Sequence, residues 1–251
     1  MSMARIALRL LVVAIAKQAG TIAQGRVYDS QLAAVDPKNF GEDARPTIII
    51  TTDADKGSAV SDQNGGPPFH RQIEVTFDLS MVAREKVDKV YVPALPETDA
   101  QLEASLDLLE YQILRELTNG IGPLVLLFQR LARITSHERY RQVDDEHNVK
   151  LASRLMTLTC EMSTDDDEPV YNSGGVIPSG FDLLPEPLRS VAAVLPENSY
   201  GRDICAKLAA SLSPVTAGPL EGVDLTMNLG GTEHSIVAEV DLDQVDPPLA
   251  P

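Results

Sequence analysis

The chain has 251 residues, enough to bury a sizeable core, and its 43% hydrophobic and 23% charged residues describe a globular rather than a disordered composition. With no Trp, 4% aromatics and a formal net charge of -16, it lacks the clustered cations that neutralise phosphates and the rings that stack on bases, which excludes the common modes of nucleic-acid binding. The charge is lopsided, since residues 1–163 hold 18 Lys+Arg against 22 Asp+Glu whereas residues 164–251 hold 3 against 15.

The opening stretch "ARIALRLLVVAIAKQAG" (4–20) admits two readings. Two arginines, an apolar run and Ala14-Ile15-Ala16 resemble a secretory signal, but Lys17 interrupts the run at the lower bound of the roughly 7 to 15 apolar residues a signal needs. Ile6, Leu10, Val13 and Lys17 follow one another at steps of three and four, with Leu11 and Ala14 beside them, which predicts an amphipathic helix burying one broad stripe and stopped by Gly20. The helix reading is preferred, and with it a chain that keeps this segment and starts at Met1 or Ser2.

"GRVYDS" (25–30) reads as a short strand ending in a turn, and "RPTIIITTDAD" (45–55), with three consecutive isoleucines, as a central strand buried on both faces. The Gly-, Pro-, Ser- and Asp-rich stretch from Asp53 to Pro68 predicts a long projecting loop. In "QIEVTFDLSMVA" (72–83), Ile73, Val75, Phe77, Leu79 and Met81 alternate with polar residues, the pattern of a half-buried strand. Leu102, Leu106, Leu109, Ile113 and Leu117 predict a long helix between Pro96 and Asn119-Gly120. A second helix over "LVLLFQRLARI" (124–134), a charged stretch "TSHERYRQVDDEHN" (135–148) and a strand over "LASRLMTLTCEM" (151–162) complete the order. The predicted fold is α+β, a mixed or antiparallel sheet covered by helices, over residues 1–163.

Ten of the 17 prolines fall after residue 163, so the boundary is placed between Ser163 and Pro169, and residues 164–251 are expected to form an acidic, Pro-rich C-terminal extension or small added domain. Within it, Tyr200 to Leu212 reads as a helix. Val223, Leu225, Met227 and Leu229, then Gly230-Gly231, then Ile236, Ala238, Val240 and Leu242 read as a β-hairpin, and the final "DPPLAP" as a frayed tail.

Chemical motifs are sparse. His137 and His147 are ten residues apart and flank Asp144, Asp145 and Glu146 without an HExxH spacing, "DDDE" (165–168) lacks the spaced ligands of a calcium loop, and neither Gly65-Gly66 nor Gly174-Gly175 is followed by the lysine of a phosphate loop. No catalytic residue, metal site or cofactor is assigned. Cys160 and Cys205 belong to no CxxC pair and read as reduced, partly buried thiols. The densest cations are Arg130, Arg133, Arg139 and Arg141; Arg130 and Arg133 are predicted to share a helix face, either solvated or gripping an acidic neighbouring subunit.

The first helix followed by "GRVYDSQLAAVDP", then "RPTIIITTDAD", then "FHRQIEVTFDLSMVA", a long Leu- and Glu-rich helix and the late strand "RLMTLTCEM" resembles the tail terminator family of tailed bacteriophages (tail completion, minor tail protein U-like). The resemblance covers residues 3–163 and leaves the last 88 outside it. It implies a structural protein, not an enzyme, that forms a homohexameric ring on the last ring of tail tube protein, ends tail polymerisation and presents a surface to the head-completion or neck protein. A sheath protein is a further partner in a contractile tail. DNA would pass the ring's channel without specific binding, and the protein would sit at the tail-neck junction of the virion after assembly in the host cytoplasm. Under this resemblance the interface candidates are Asp53, Asp55 and Lys56 for subunit or tube contact, and Arg130 and Arg133 for an intersubunit salt bridge. The alternatives are another neck or head-tail connector component, a secreted binding protein, and a hydrolase built on His137 to His147.

Overall fold

The computed structural model describes residues 2–30, 45–60, 69–87, 90–94, 99–144, 151–163, 179–212, 225–229 and 232–236. In chain order the elements are α1 (Met3–Gln18), β1 (Val27–Asp29), β2 (Arg45–Ala59), β3 (Phe69–Val87), β4 (Val90–Ala94), α2 (Asp99–Asn119), α3 (Pro123–Leu131), β5 (Ala132–Asp144), β6 (Leu151–Met162), a 3-10 turn (Gly180–Leu183), α4 (Leu188–Val194), α5 (Tyr200–Ser211), β7 (Leu225–Leu229) and β8 (Thr232–Ile236). The fold is α+β. Its main sheet runs β1-β2-β3-β6-β5, with β4 paired to the far end of β3; β1 lies parallel to β2 and every other pairing is antiparallel, so the sheet is mixed.

The alternation in β3 fixes the layers. Ile73, Val75, Phe77 and Leu79 are fully buried and, with Ile48 and Ile50 of β2 and Met156, Leu158 and Cys160 of β6, form one core with the helices. Ile49 is also buried but lies outside that cluster, as its parity demands, so the triple isoleucine is covered on both faces while the described helices cover one. The expected central strand is interior, between β1 and β3; the centre itself is β3, which pairs with β2, β4 and β6.

Helix α1 is more deeply placed than one stripe allows. Ala4, Leu8, Leu11 and Ile15, with Ala7 and Val12, are all at most 2% exposed, whereas Ile6 and Lys17 of the counted stripe are partly or fully exposed at its flank. The two arginines outside the stripe pin the helix to the sheet: Arg5 Nε donates to Thr52 Oγ1 at 2.8 Å, and Arg9 Nε lies 2.8 Å from Asp29 Oδ1, a carboxylate 4% exposed. Among the described residues no helix is long and apolar enough to cross a membrane.

Several expectations are corrected. The first part of the loop expected from Asp53 to Pro68 is instead strand, because β2 continues to Ala59, while residues 61–68 lie outside the described structure and β3 begins at Phe69. The helix expected to run through Ile134 stops at Leu131, where Ser163 N donates to Leu131 O at 2.8 Å, and the charged segment after it is strand β5. The short strand β4 was not anticipated. The placed boundary does not end the core either: Leu184, Leu188, Val191, Ala192, Leu195, Cys205 and Ala209 join α1 in the same hydrophobic cluster. The helix expected over 200–212 is α5. The hairpin forms too, but Leu229 pairs with Thr232 across Gly230-Gly231, so its second strand ends at Ile236, where the expected one starts. Val223 and residues 237–251 lie outside the described residues.

Candidate functional site

Two β-bulges decide which way the charged side chains of the sheet point. In β2 the pairing moves from Thr52 opposite Val75 to Asp55 opposite Ile73, so Asp53 and Ala54 face a single residue of β3 and the alternation inverts. Asp55 is thereby brought to the helix side with Arg71, whose Nη1 donates to both carboxylate oxygens at 3.2 and 3.3 Å and whose guanidinium stacks 5.6 Å from the Phe69 ring centre. Lys56 turns to the other side, 3.5 Å from Glu74, and exposed Asp53 accepts from Thr51 Oγ1 at 3.0 Å. The three residues expected in a loop thus sit in β2 beside the part of β3 that also pairs with β6, and the two-stranded ribbon that runs past the last β6 pairing at Gln72 begins after them, at Gly57 and Arg71. An open polar groove of about 420 Å³ lies at its base, lined by Lys56, His70, Arg71 and Glu161 among others.

The second bulge is in β5, where Ile134 pairs with Cys160 but Ser136 pairs with Thr159. Thr135 is the extra residue, and beyond it Arg139 and Arg141 face the helices. There α2 presents Glu103, Asp107 and Glu110, acids spaced by four and three on one helical face. Arg154 of β6, 14% exposed, pairs with all three, at 2.5 Å to Glu103 and 3.3 Å to Glu110; Arg139 pairs with Glu110, and Arg141 with Glu103 at 3.2 Å. Glu110 is 4% and Arg154 14% exposed, so the network is anchored between α2 and the sheet, with Asp107, Arg139 and Arg141 at its exposed rim. Burial lowers and the three acids raise the Arg154 affinity for its proton, and the acids prevail.

The expected helix face shared by Arg130 and Arg133 does not form, because α3 ends between them. Arg133, on β5 before the bulge, pairs with Glu161 of its own chain at 2.5 Å and is 77% exposed, while the Arg130 side chain has no ion-pair partner among the described residues. Arg139 and Arg141 likewise pair with acids of their own chain. His137 sits on β5 opposite Leu158, and Asp145 to His147 lie outside the described residues; among those described, no three His, Cys, Asp or Glu converge as metal ligands. Cys160 and Cys205 are free and buried, their thiols pushed up by burial to about 12 and about 11.

The face of the sheet turned away from the helix core carries rows of short hydroxyl residues broken by apolar ones. Thr47, Ser80 and Ser153 form one row, Thr51, Thr76, Thr157 and Glu138 another, with Tyr28, Ile49, Asp78, Leu155 and Tyr140 between them. Thr76 and Thr157 share a hydroxyl hydrogen bond at 3.0 Å, and Tyr140 donates to Glu138 at 2.7 Å. Asp78 Oδ1 and Ser80 Oγ are buried with no hydrogen-bond partner among the described residues, and burial pushes the Asp78 carboxyl above the usual range. Sequence reasoning missed the Arg154 network and this row; only the 103, 107, 110 spacing was there to be read. No family model matches this chain, and no curated protein matches it.

Proposed function

We propose that this chain is the ring subunit of a phage tail terminator, closing as a homohexamer on the last ring of tail tube protein, ending polymerisation and presenting a surface to the head-completion or neck protein. The observation that carries the reading is the ribbon: α1, α2, α3 and α4 share one core with the sheet, while Gly57 to Ala59 of β2 and Phe69 to Arg71 of β3 run past the last β6 pairing and, with Tyr140, 58% exposed on the second face, remain for other subunits. The segments that carry the resemblance fold as α1, β1, β2, β3, α2 and β6. A ring needs head-to-tail contacts that close, and such contacts need two unlike surfaces on one chain. Nothing in the reading calls for a catalytic residue or a cofactor.

With a net charge of -16, some carboxylates of a closed ring would line its channel and repel DNA in transit, so passage would need no specific binding. The site of action is then the tail-neck junction of the virion, with assembly in the host cytoplasm and a sheath protein as an added neighbour in a contractile tail. The test is the native mass of the purified chain followed by negative-stain imaging with tail tubes. Rings at tube ends and a bounded tube length are expected; a chain that neither caps tubes nor limits their length would overturn the reading.

A further inference from the structure

The chain carries an apolar knob and an apolar groove at separate places. The knob is the corner between α2 and α3. A Cβ on Gly120 would lie 2.6 Å from the Glu116 carbonyl oxygen, so this position takes glycine, the chain turns tightly, and Ile121 is thrown outward to 88% exposure with Leu126 at 55% nearby. Ile121 is the most exposed large hydrophobic side chain among the described residues. The Glu116 carboxylate stands at the same corner, 2.7 Å from where that Cβ would be.

The groove lies between α1 and the turn that joins α4 to α5. Leu10, Val13, Ala14, Leu195, Pro196 and Tyr200 line a volume of about 150 Å³. A space of that size walled by aliphatic groups accepts a benzene-sized apolar body. Gly201 keeps its floor tight, because a Cβ there would already be 3.2 Å from Leu195 Cδ1. Lys17, exposed and with no ion-pair partner among the described residues, stands at its wall.

We infer that Ile121 of one copy seats in this groove of the next copy, with Glu116 opposite Lys17. The two surfaces differ in shape and carry opposite charge, so the contact is head-to-tail and repeats from copy to copy, which a contact between identical patches does not do. The inference rests on the ring reading and names the surfaces that would build the ring. It also gives a role to the end of the stripe of Leu10, Val13 and Lys17, whose two aliphatic members are buried in the core yet line the groove and whose Lys17 stands exposed at its wall.

The test uses the full chain with Ala14→Cys in one preparation and Ile121→Cys in another; the native thiols are buried and stay out of the exchange. On mild oxidation an intermolecular disulfide is expected when the two are mixed and not in either alone. Removing the knob with Ile121→Asp, a surface change that leaves the core intact, is expected to weaken self-association by about ten- to a hundredfold, the worth of one buried aliphatic side chain. A self-disulfide in either single variant, no disulfide in the mixture, or Ile121→Asp assembling like the wild type would overturn the contact. Capping of tail tubes without the disulfide overturns this contact and leaves the ring reading standing; cross-linked oligomers that never cap tubes do the reverse.

Discussion

Asp78 occupies the middle of the central strand with one carboxylate oxygen buried and without a hydrogen-bond partner among the described residues, and burial raises its pKa above 3.8. The folded chain therefore prefers the protonated acid: that preference is fully present below 3.8 and is lost as the pH rises through the raised value, so at neutral pH the charge works against folding. Asp78→Asn should raise the urea midpoint at pH 7 and give no comparable gain below pH 3.8; equal gains at both would mean the charge is not the cause. Alternation in the sequence placed Asp78 correctly on the polar side of β3. It could not show that this side is partly buried, because burial on a second face depends on what the fold brings over it, whereas the aliphatic row Ile73, Val75, Phe77 and Leu79 needs only its own period of two.

At the scale of elements, the bulge at Thr135 and the acid spacing in α2 act together. The bulge turns Arg139 and Arg141 toward the helices, Arg154 fills the space between them, and α2 is fixed to β5 and β6 by charge as well as by Leu106, Leu109 and Ile113. Arg154→Met leaves Glu110 buried with only the half-exposed Arg139 and should cost about 3 kcal/mol in urea unfolding, whereas Arg133→Met, which breaks an exposed pair, should cost under about 1 kcal/mol. Equal costs would show that the network adds nothing beyond a surface pair. The elements with one clean period, α1, β3, α2 and β6, were legible in the sequence. β5 was not, since a strand that changes face at a bulge and carries charge on both sides shows neither a period of two nor one of 3.6. The same mechanism hid the second half of β2, where Asp53 to Ser58 has the composition of a loop and the pairing of a strand.

For the whole molecule, the separation of core from ribbon makes the proposed assembly role testable without unfolding the chain. No residue of β2 beyond Thr52 and none of β3 before Ile73 belongs to the hydrophobic cluster, and the ribbon is held there by its own ladder and by Asp55 with Arg71. Shortening it so that Ser58 joins His70 through Asn-Gly keeps that ion pair and supplies a two-residue turn suited to a hairpin. The shortened chain is expected to keep the wild-type unfolding free energy in urea to within about 0.5 kcal/mol, as surface changes usually do. If the ribbon is what reaches the tail tube, it should still self-associate through the corner and the groove but leave tubes uncapped and unbounded in length under negative stain. Normal capping by the shortened chain would remove the ribbon's tip from the tube contact and move that role to the exposed residues that remain, Asp53 and Lys56 among them. Loss of self-association instead would mean that the removed tip bridges subunits, a role that would not extend to Asp53, Asp55 and Lys56, which the shortened chain keeps.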